Sequence, residues 1–155
     1  GQGGLKTLTS ILSTHLKTLT GPVVVIGFSA GAAAAWQVAA SNLDTQIRHI
    51  LGFYPGQIRH HLDLIPNFPV SLFFPNEEAH FDLDPVLHVL STTERCQVFQ
   101  GQQGHGYVNP NSVNYDEIGS QAVLEALSQI ADLSDDDAEF LEGLVNRLNY
   151  REVFK

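Results

Sequence analysis

A β-branched run that passes through a glycine-containing turn into an alanine-rich segment limits the possible folds of this chain most strongly. Residues 22–26 are Pro-Val-Val-Val-Ile, which is typical of a strand buried on both faces. Residues 27–31 are Gly-Phe-Ser-Ala-Gly, and residues 30–41 are rich in alanine, the best helix former. A buried strand followed at once by a helix is the unit of parallel sheets, so we expect an α/β fold.

The rest of the chain repeats this alternation of apolar runs and amphipathic segments. Asp84 is a plausible N-cap for one helix, with Pro85 at its first position. Helices between successive strands imply parallel pairing, helices on both faces of the sheet, and ligands beyond the carboxyl ends of the strands. We predict strands over residues 47–54, 69–74 and 95–99, and helices over residues 5–19, 84–90 and 116–131. The last helix has an apolar stripe that consists of Ile118, Val123, Leu124, Leu127 and Ile130.

The end of the chain carries much of the negative charge. Of the 17 acidic residues, 6 lie between positions 132 and 142. We expect a single domain over residues 1–155 with an acidic helical extension over residues 132–155, capped by Ser134. The apolar residues of that helix predict packing on the domain, with a homodimer contact or a pocket cover as the alternative; they are Phe140, Leu141, Leu144, Val145 and Leu148.

Composition narrows the class of protein. With 155 residues, 43% hydrophobic and 16% charged, the chain suits one globular domain. The net charge of −9 argues against nucleic-acid and membrane partners. The chain has a single cysteine, Cys96, and no visible leader, which together predict a reducing, cytoplasmic location. Because Cys96 lies in a predicted strand, we expect it to act as a small apolar residue. The chain contains no methionine, so we expect a processed or truncated chain, or one written without its modified methionines.

The Gly27–Gly31 turn has the spacing G-x-S-x-G of a nucleophile elbow. Serine at the tip of such a turn projects its hydroxyl above the sheet, and small neighbours let the backbone pass closely. Ser29 is therefore the candidate nucleophile, and the backbone amide of Ala30 is the candidate oxyanion donor.

A serine nucleophile needs a base and an acid that orients the base. His105 lies between glycines directly after the last predicted strand of the parallel set, where a base would be expected. Four carboxylates follow the third strand within reach, and Glu78 is the first choice for the acid and Asp82 the second; the other two are Glu77 and Asp84. The alternative is that these carboxylates are solvated loop charges and the triad is incomplete.

The connection after the second strand leaves the sheet on the same side. We expect it to contribute Tyr54, Ile58, His60 and His61 to a substrate pocket, and we assign Phe28, Tyr54 and Tyr107 to substrate binding. The spacing of His60, His61 and Asp63 is poor for a metal, so we expect no metal and no other cofactor.

These segments together resemble the dienelactone hydrolase family of α/β-hydrolases, in its esterase-like serine branch. The resemblance covers about residues 5–131, and its most specific parts are the elbow and the His-Gly-Tyr segment. It implies an α/β-hydrolase fold and hydrolysis of a small carboxylic ester or lactone without metal. It also implies that Ser29 is the nucleophile and His105 the base. The segments that carry it are VVVIGFSAGA, GFYPG, PVSLFFPNEEAHF, VFQGQQGHGYVNP and Tyr115.

Three departures from the family pattern bear on function. The founding enzymes carry cysteine where this chain has Ser29. The family's acid is an aspartate at the position of Ala79, so Glu78 or Asp82 would have to replace it. The family also has strands before the first helix, which carry a second oxyanion amide. Without them the strand at residues 22–26 would be an exposed edge, so we expect a covering polypeptide or a longer protein. The alternative function is a non-catalytic binding or assembly protein of the same fold.

Overall fold

A computed structural model of the protein describes residues 2–41, 46–129 and 137–154. The predicted alternation of strands and helices is confirmed, with most boundaries within three residues of those expected. The predicted cap Ser134 and the end of the predicted helix 116–131 lie outside the described residues. The helices are α1 (Gln2–Leu16), α2 (Ala30–Ser41), α3 (Leu83–Ser91), α4 (Glu117–Gln129) and α5 (Asp137–Arg147), with a short 3₁₀ helix at Gly56–His60. The strands are β1 (Val23–Phe28), β2 (Ile47–Phe53), β3 (Val70–Phe74), β4 (Cys96–Gln100) and β5 (Arg151–Glu152).

The five strands form one sheet in the order β1-β2-β3-β4-β5. The first four pair in parallel, as expected from the helices between them. Strand β5 was not predicted, and it adds an antiparallel edge beside β4. Its two residues are too few to show a period, and its pairing depends on the long-range approach of the chain end to β4. The chain is therefore α/β with a mostly parallel sheet.

Helices cover both faces of this sheet. On one face, α2 and α3 pack on β1 to β4 around Trp36, which is fully buried, and α1 lies against α2. On the other face, α4 and α5 cover a row of aromatic rings that crosses the strands. Phe28, Phe53, Phe73 and Phe99 stack in sequence, with ring centroids 5.1, 4.8 and 5.0 Å apart. This row lies directly beneath the carboxyl ends of the strands.

Two local expectations are wrong in detail. The N-cap of α3 is Asp82, whose carboxylate accepts a hydrogen bond from the Asp84 amide at 3.2 Å, so the helix begins before Asp84. On α4 the predicted apolar stripe does not all face inward: Val123 is buried, but Ile118 is 83% exposed and Leu124 is 54% exposed. The buried face of α4 runs through small residues instead, which allow close packing on the aromatic row.

Strand β1 stands at one end of the strand order and pairs with β2 alone among the described residues. Its residues are only partly covered, with Val25 and Gly27 buried and the other four half-buried. The expected open edge is therefore present among the described residues, but every residue of β1 is at least half-buried and none is exposed. None of the described helices has the length and apolar content required to cross a bilayer.

Candidate active site

Ser29 occupies a strained turn between β1 and α2. Its φ of 51° lies in the left-handed region that non-glycine residues rarely adopt. Two hydrogen bonds hold it there: the Ser29 amide donates to Phe53 O at 2.9 Å, and the Ala33 amide donates to Ser29 O at 3.1 Å. The first ties the turn to the end of β2, and the second starts α2. The predicted elbow geometry is therefore present, with the hydroxyl raised above the carboxyl edge of the sheet.

The two glycines of the elbow play different parts. A Cβ on Gly27 would lie 2.7 Å from the backbone of Gly31 and Ala32, so this position has no room for a side chain. A Cβ on Gly31 would meet nothing within 4 Å among the described residues. The expectation that both glycines serve close backbone approach holds for Gly27 and is wrong for Gly31 within the described structure.

His105 lies beside the serine on the loop that follows β4. Its Nε2 is 3.1 Å from Ser29 Oγ. The loop is fixed through the His105 carbonyl, which accepts hydrogen bonds from Asn114 Nδ2 at 2.9 Å and Ser112 Oγ at 3.3 Å. The flanking glycines are needed for two reasons: a Cβ on Gly104 would clash with Asn114 at 2.6 Å, and Gly106 has a φ of 81°.

Glu78 completes a chain of hydrogen bonds. Its Oε1 lies 2.7 Å from His105 Nδ1, and its side chain is only 7% exposed. A carboxylate that accepts the Nδ1 proton leaves Nε2 as the acceptor that faces the serine hydroxyl. Of the candidate acids, Asp82 is used in capping α3, and Glu77 is exposed at the edge of the cavity. The structure thus brings Ser29, His105 and Glu78 together although position 79 is alanine.

The Ala30 amide is placed for an oxyanion. Ala30 is the first residue of α2, so its N–H is among those that find no acceptor inside the helix. It also directly follows Ser29, and the positive end of the helix dipole lies at the same point. The predicted assignment of Ala30 is therefore compatible with its position in the fold.

A cavity of about 720 Å³ opens beside Ser29, a size typical of small-molecule sites. Its lining is rich in side-chain amides, including Gln57, Asn76 and Asn114, and it contains one arginine, Arg59. The Arg59 guanidinium donates to Gly56 O at 2.7 Å and lies over the Phe81 ring at 4.6 Å. Among the described residues no carboxylate pairs with it. Arg59 therefore presents a cationic group to the cavity, whose lining also contains the carboxylates of Glu77 and Glu78.

The residues predicted to bind substrate lie beneath the site and not in its lining. Tyr54 and Tyr107 are 4% and 1% exposed, Ile58 is fully buried, and Phe28 is half-buried and stacks on Phe53. His61 is likewise engaged elsewhere, in hydrogen bonds with Gln37, and His60 is exposed outside the cavity lining. None of these residues lines the cavity, so their predicted role in a substrate pocket does not agree with the structure.

Residues that sequence reasoning missed take their place. The connection after β2 is a 3₁₀ helix, in which positions three apart share one side. Gly56 and Arg59 face the cavity, whereas Ile58 is turned into the core. The Pro55-Gly56 pair after a strand was the available signal for such a turn. The phase of its side chains depends on the turn type, which the sequence does not specify.

Two phenols under the site are joined by a hydrogen bond of 2.9 Å between Tyr107 and Tyr150. Burial raises the pKa of both phenols above the ordinary value. Burial also raises the pKa of Tyr54, and the nearby Val108 backbone lowers it to a smaller extent. These groups stay neutral at physiological pH and serve as packing and hydrogen-bonding groups. Burial likewise raises the pKa of Cys96 to about 12, which agrees with its predicted apolar role.

No protein-family model matches the chain. A protein of Bacillus subtilis (strain 168), "Uncharacterized protein YczH", is 32% identical over 114 residues, or 72% of this chain. The matched part is 55% of that protein, so the chain spans about half the length of this relative.

Proposed function

We propose that this protein is a serine hydrolase of the α/β-hydrolase fold that cleaves a small carboxylic ester or lactone through an acyl-enzyme. The observation that carries the proposal is the continuous chain of hydrogen bonds from Ser29 Oγ through His105 to the buried carboxylate of Glu78. The three residues follow β1, β4 and β3 and meet at one edge of the sheet. The resemblance of the elbow and the His-Gly-Tyr segment to dienelactone hydrolases supports the same reaction class.

In the first half of the proposed reaction, Ser29 Oγ attacks the carbonyl carbon while His105 Nε2 takes the hydroxyl proton. The carbonyl electron pair moves to oxygen, and the Ala30 amide stabilises the resulting oxyanion. When the carbonyl re-forms, the bond to the alkoxy group breaks, and that oxygen receives the proton from His105. The products are a free alcohol, or the opened end of a lactone, and an acyl group on Ser29.

In the second half, water attacks the acyl-enzyme while His105 takes its proton. The second oxyanion collapses, the bond to Ser29 Oγ breaks, and the serine recovers the proton. Glu78 remains ionised throughout and stabilises the imidazolium that forms twice in each turnover. Its burial matters because the attraction between the two charges is stronger where water is excluded.

The cavity favours polar substrates. Side-chain amides can bond to hydroxyl and carbonyl groups, and the Arg59 guanidinium, which has no carboxylate partner among the described residues, can bond to an anionic group on the substrate. The apolar lining is confined to a few residues such as Phe81 and Val113. We therefore propose short, polar esters or lactones as substrates and not long acyl chains.

Covalent labelling tests this proposal. The intact mass of the protein before and after treatment with a fluorophosphonate probe should show one adduct, and peptide mapping should place it on Ser29. Hydrolysis of 4-nitrophenyl acetate and of a small lactone should be lost in Ser29→Ala and in His105→Ala. Ser41→Ala is the matched control, since Ser41 is an exposed serine at the far end of α2.

Full activity in Ser29→Ala would refute the proposal. Absence of both the adduct and hydrolysis in the folded protein would instead favour the non-catalytic alternative. Two departures from the family pattern motivate that alternative, the alanine at position 79 and the lack of the family's first strands. The Glu78 carboxylate beside His105 Nδ1 bears only on the first.

A further inference from the structure

The protein covers only part of the His105 imidazole. Its side chain is 36% exposed, so its position relative to Ser29 depends on what supports the covered side. The ring of Tyr54 lies there, with a centroid distance of 4.9 Å and an interplanar angle of 52°. An imidazole that is held by two hydrogen bonds and open to solvent needs such a wall, because small displacements lengthen the bond to the serine.

Tyr54 is itself fixed at both ends. Its backbone has a φ of 39°, a strained value that persists because its amide donates to Phe73 O at 2.7 Å and its carbonyl accepts from Gly56 N at 2.9 Å. The side chain is 4% exposed, so it does not contact a substrate in the cavity.

The same ring touches the neighbours of both reacting residues. It meets Tyr107, two residues after the base, edge-on at 5.8 Å, and Phe28, one residue before the nucleophile, at 6.0 Å. These ring contacts connect the His105 loop to the end of β1 through a single side chain. This makes Tyr54 a mechanical link between nucleophile and base.

We propose that Tyr54 is a positioning residue that holds the His105 imidazole in line with Ser29, and this inference rests on the proposed hydrolase function. Its ring is a wall behind the imidazole and favours the imidazolium formed in turnover. The same ring packs on Tyr107 of the His105 loop and so limits the movement of that loop.

The test compares Tyr54→Phe, Tyr54→Leu and the control Phe73→Leu. Phe73 is a buried ring of the same aromatic row, and its ring contacts are Phe53, Phe99 and Tyr150, so its loss tests core packing alone. We expect Tyr54→Leu to lower kcat about 10²-fold with KM nearly unchanged, since a displacement of about 1 Å has that effect. We expect Tyr54→Phe, which keeps the wall, to restore most of the loss, and Phe73→Leu to lower stability but leave kcat nearly unchanged.

A second readout does not depend on turnover. The proton shared between His105 Nδ1 and Glu78 should give a far-downfield NMR resonance in the wild type and in Tyr54→Phe. In Tyr54→Leu we expect it to broaden or disappear, while it persists in Phe73→Leu. This measurement tests the positioning role even if the protein hydrolyses no ester, so failure of the proposed function and failure of this inference are distinguishable.

Three results would overturn the inference. Unchanged kcat and an unchanged resonance in Tyr54→Leu would show that the wall is not needed. A change in KM alone would indicate substrate contact instead. Equal losses in Tyr54→Leu and Phe73→Leu would indicate general damage to the core. If Tyr54→Leu does not fold, Tyr54→Met, a milder change of the same wall, decides the inference: a lowered kcat with a broadened resonance would support it, and wild-type values of both would count against it.

Discussion

Replacing Glu78 by glutamine is the sharpest test of the site, because it removes the charge and keeps the shape. Glutamine offers an amide in place of the carboxylate that lies 2.7 Å from His105 Nδ1. If its Nε2 donates to Nδ1, the imidazole must carry its proton on Nε2, where it can no longer accept the proton of Ser29. We therefore expect the variant to fold normally and to lose turnover.

The size of the loss follows from the burial of the carboxylate. An imidazolium and a carboxylate with charge centres about 4 Å apart attract by about 4 kcal/mol at an effective dielectric constant of about 20. That value suits a side chain that is 7% exposed, and it corresponds to about 10³-fold in rate. The unfavourable tautomer adds to this, so we expect kcat/KM to fall by about 10³–10⁴.

The assay is steady-state hydrolysis of an activated ester, with the rate of phosphonate labelling of Ser29 as a second measure. Glu77→Gln is the matched control, because this substitution removes the same charge from the preceding residue, whose side chain is exposed. It should retain activity within about threefold, because an exposed charge is screened by solvent. A Glu78→Gln enzyme with more than about a tenth of wild-type activity would refute the charge argument.

The remaining predictions concern packing, charge and reactivity. Gly27→Ala should destabilise the fold by about 1–3 kcal/mol in urea unfolding, because its Cβ would clash with backbone at 2.7 Å, whereas Gly31→Ala should be neutral or slightly stabilising. Arg59→Met should lower kcat/KM about 10–100-fold for mono-4-nitrophenyl succinate but little for 4-nitrophenyl butyrate; equal losses on both would contradict an anion site. Cys96, with a pKa of about 12, should react with iodoacetamide at pH 8 about 10³-fold more slowly than an exposed thiol. Because folding raises the pKa of the Cys96 thiol, the stability that the protonated thiol contributes is present below about pH 9 and is lost as the pH rises towards 12. Rapid labelling of Cys96 in the folded protein would contradict the raised pKa.

The sequence predicted the structure well where an element depends on residues that are adjacent in the chain. Strand β1, the elbow and helix α2 follow from residue types that are adjacent in the chain, so their predicted bounds are close to those found. The acid was harder to predict, since several carboxylates follow β3 and only the path of the loop decides which one reaches His105. Glu78 was the first choice, and its placement depends on a contact 27 residues distant.

The roles of the residues after β2 could not be predicted for a related reason. Tyr54 and Arg59 both follow the strand, and an aromatic residue is the more usual guess for a pocket wall. The left-handed turn at Tyr54 directs its ring under His105, and the 3₁₀ helix then brings Arg59 to the cavity. Composition and periodicity do not reveal a positive φ at a non-glycine residue. Sequence patterns therefore could not predict that Arg59, and not Tyr54, lines the cavity.

The strained turns are stabilised by the sheet itself. Ser29 and Tyr54 each follow a strand, and each donates its amide to the last part of the next strand, at Phe53 and Phe73. Gly101, at the start of the loop that carries His105, similarly donates to Phe74 O at 3.0 Å. The ladder of the parallel sheet therefore extends one residue into each loop of the site. Strands β1 and β4 are separated by two strands, or about 14 Å at the usual strand spacing. The loop after β4 must therefore carry His105 along the carboxyl edge of the sheet to bring its Nε2 within 3.1 Å of Ser29 Oγ.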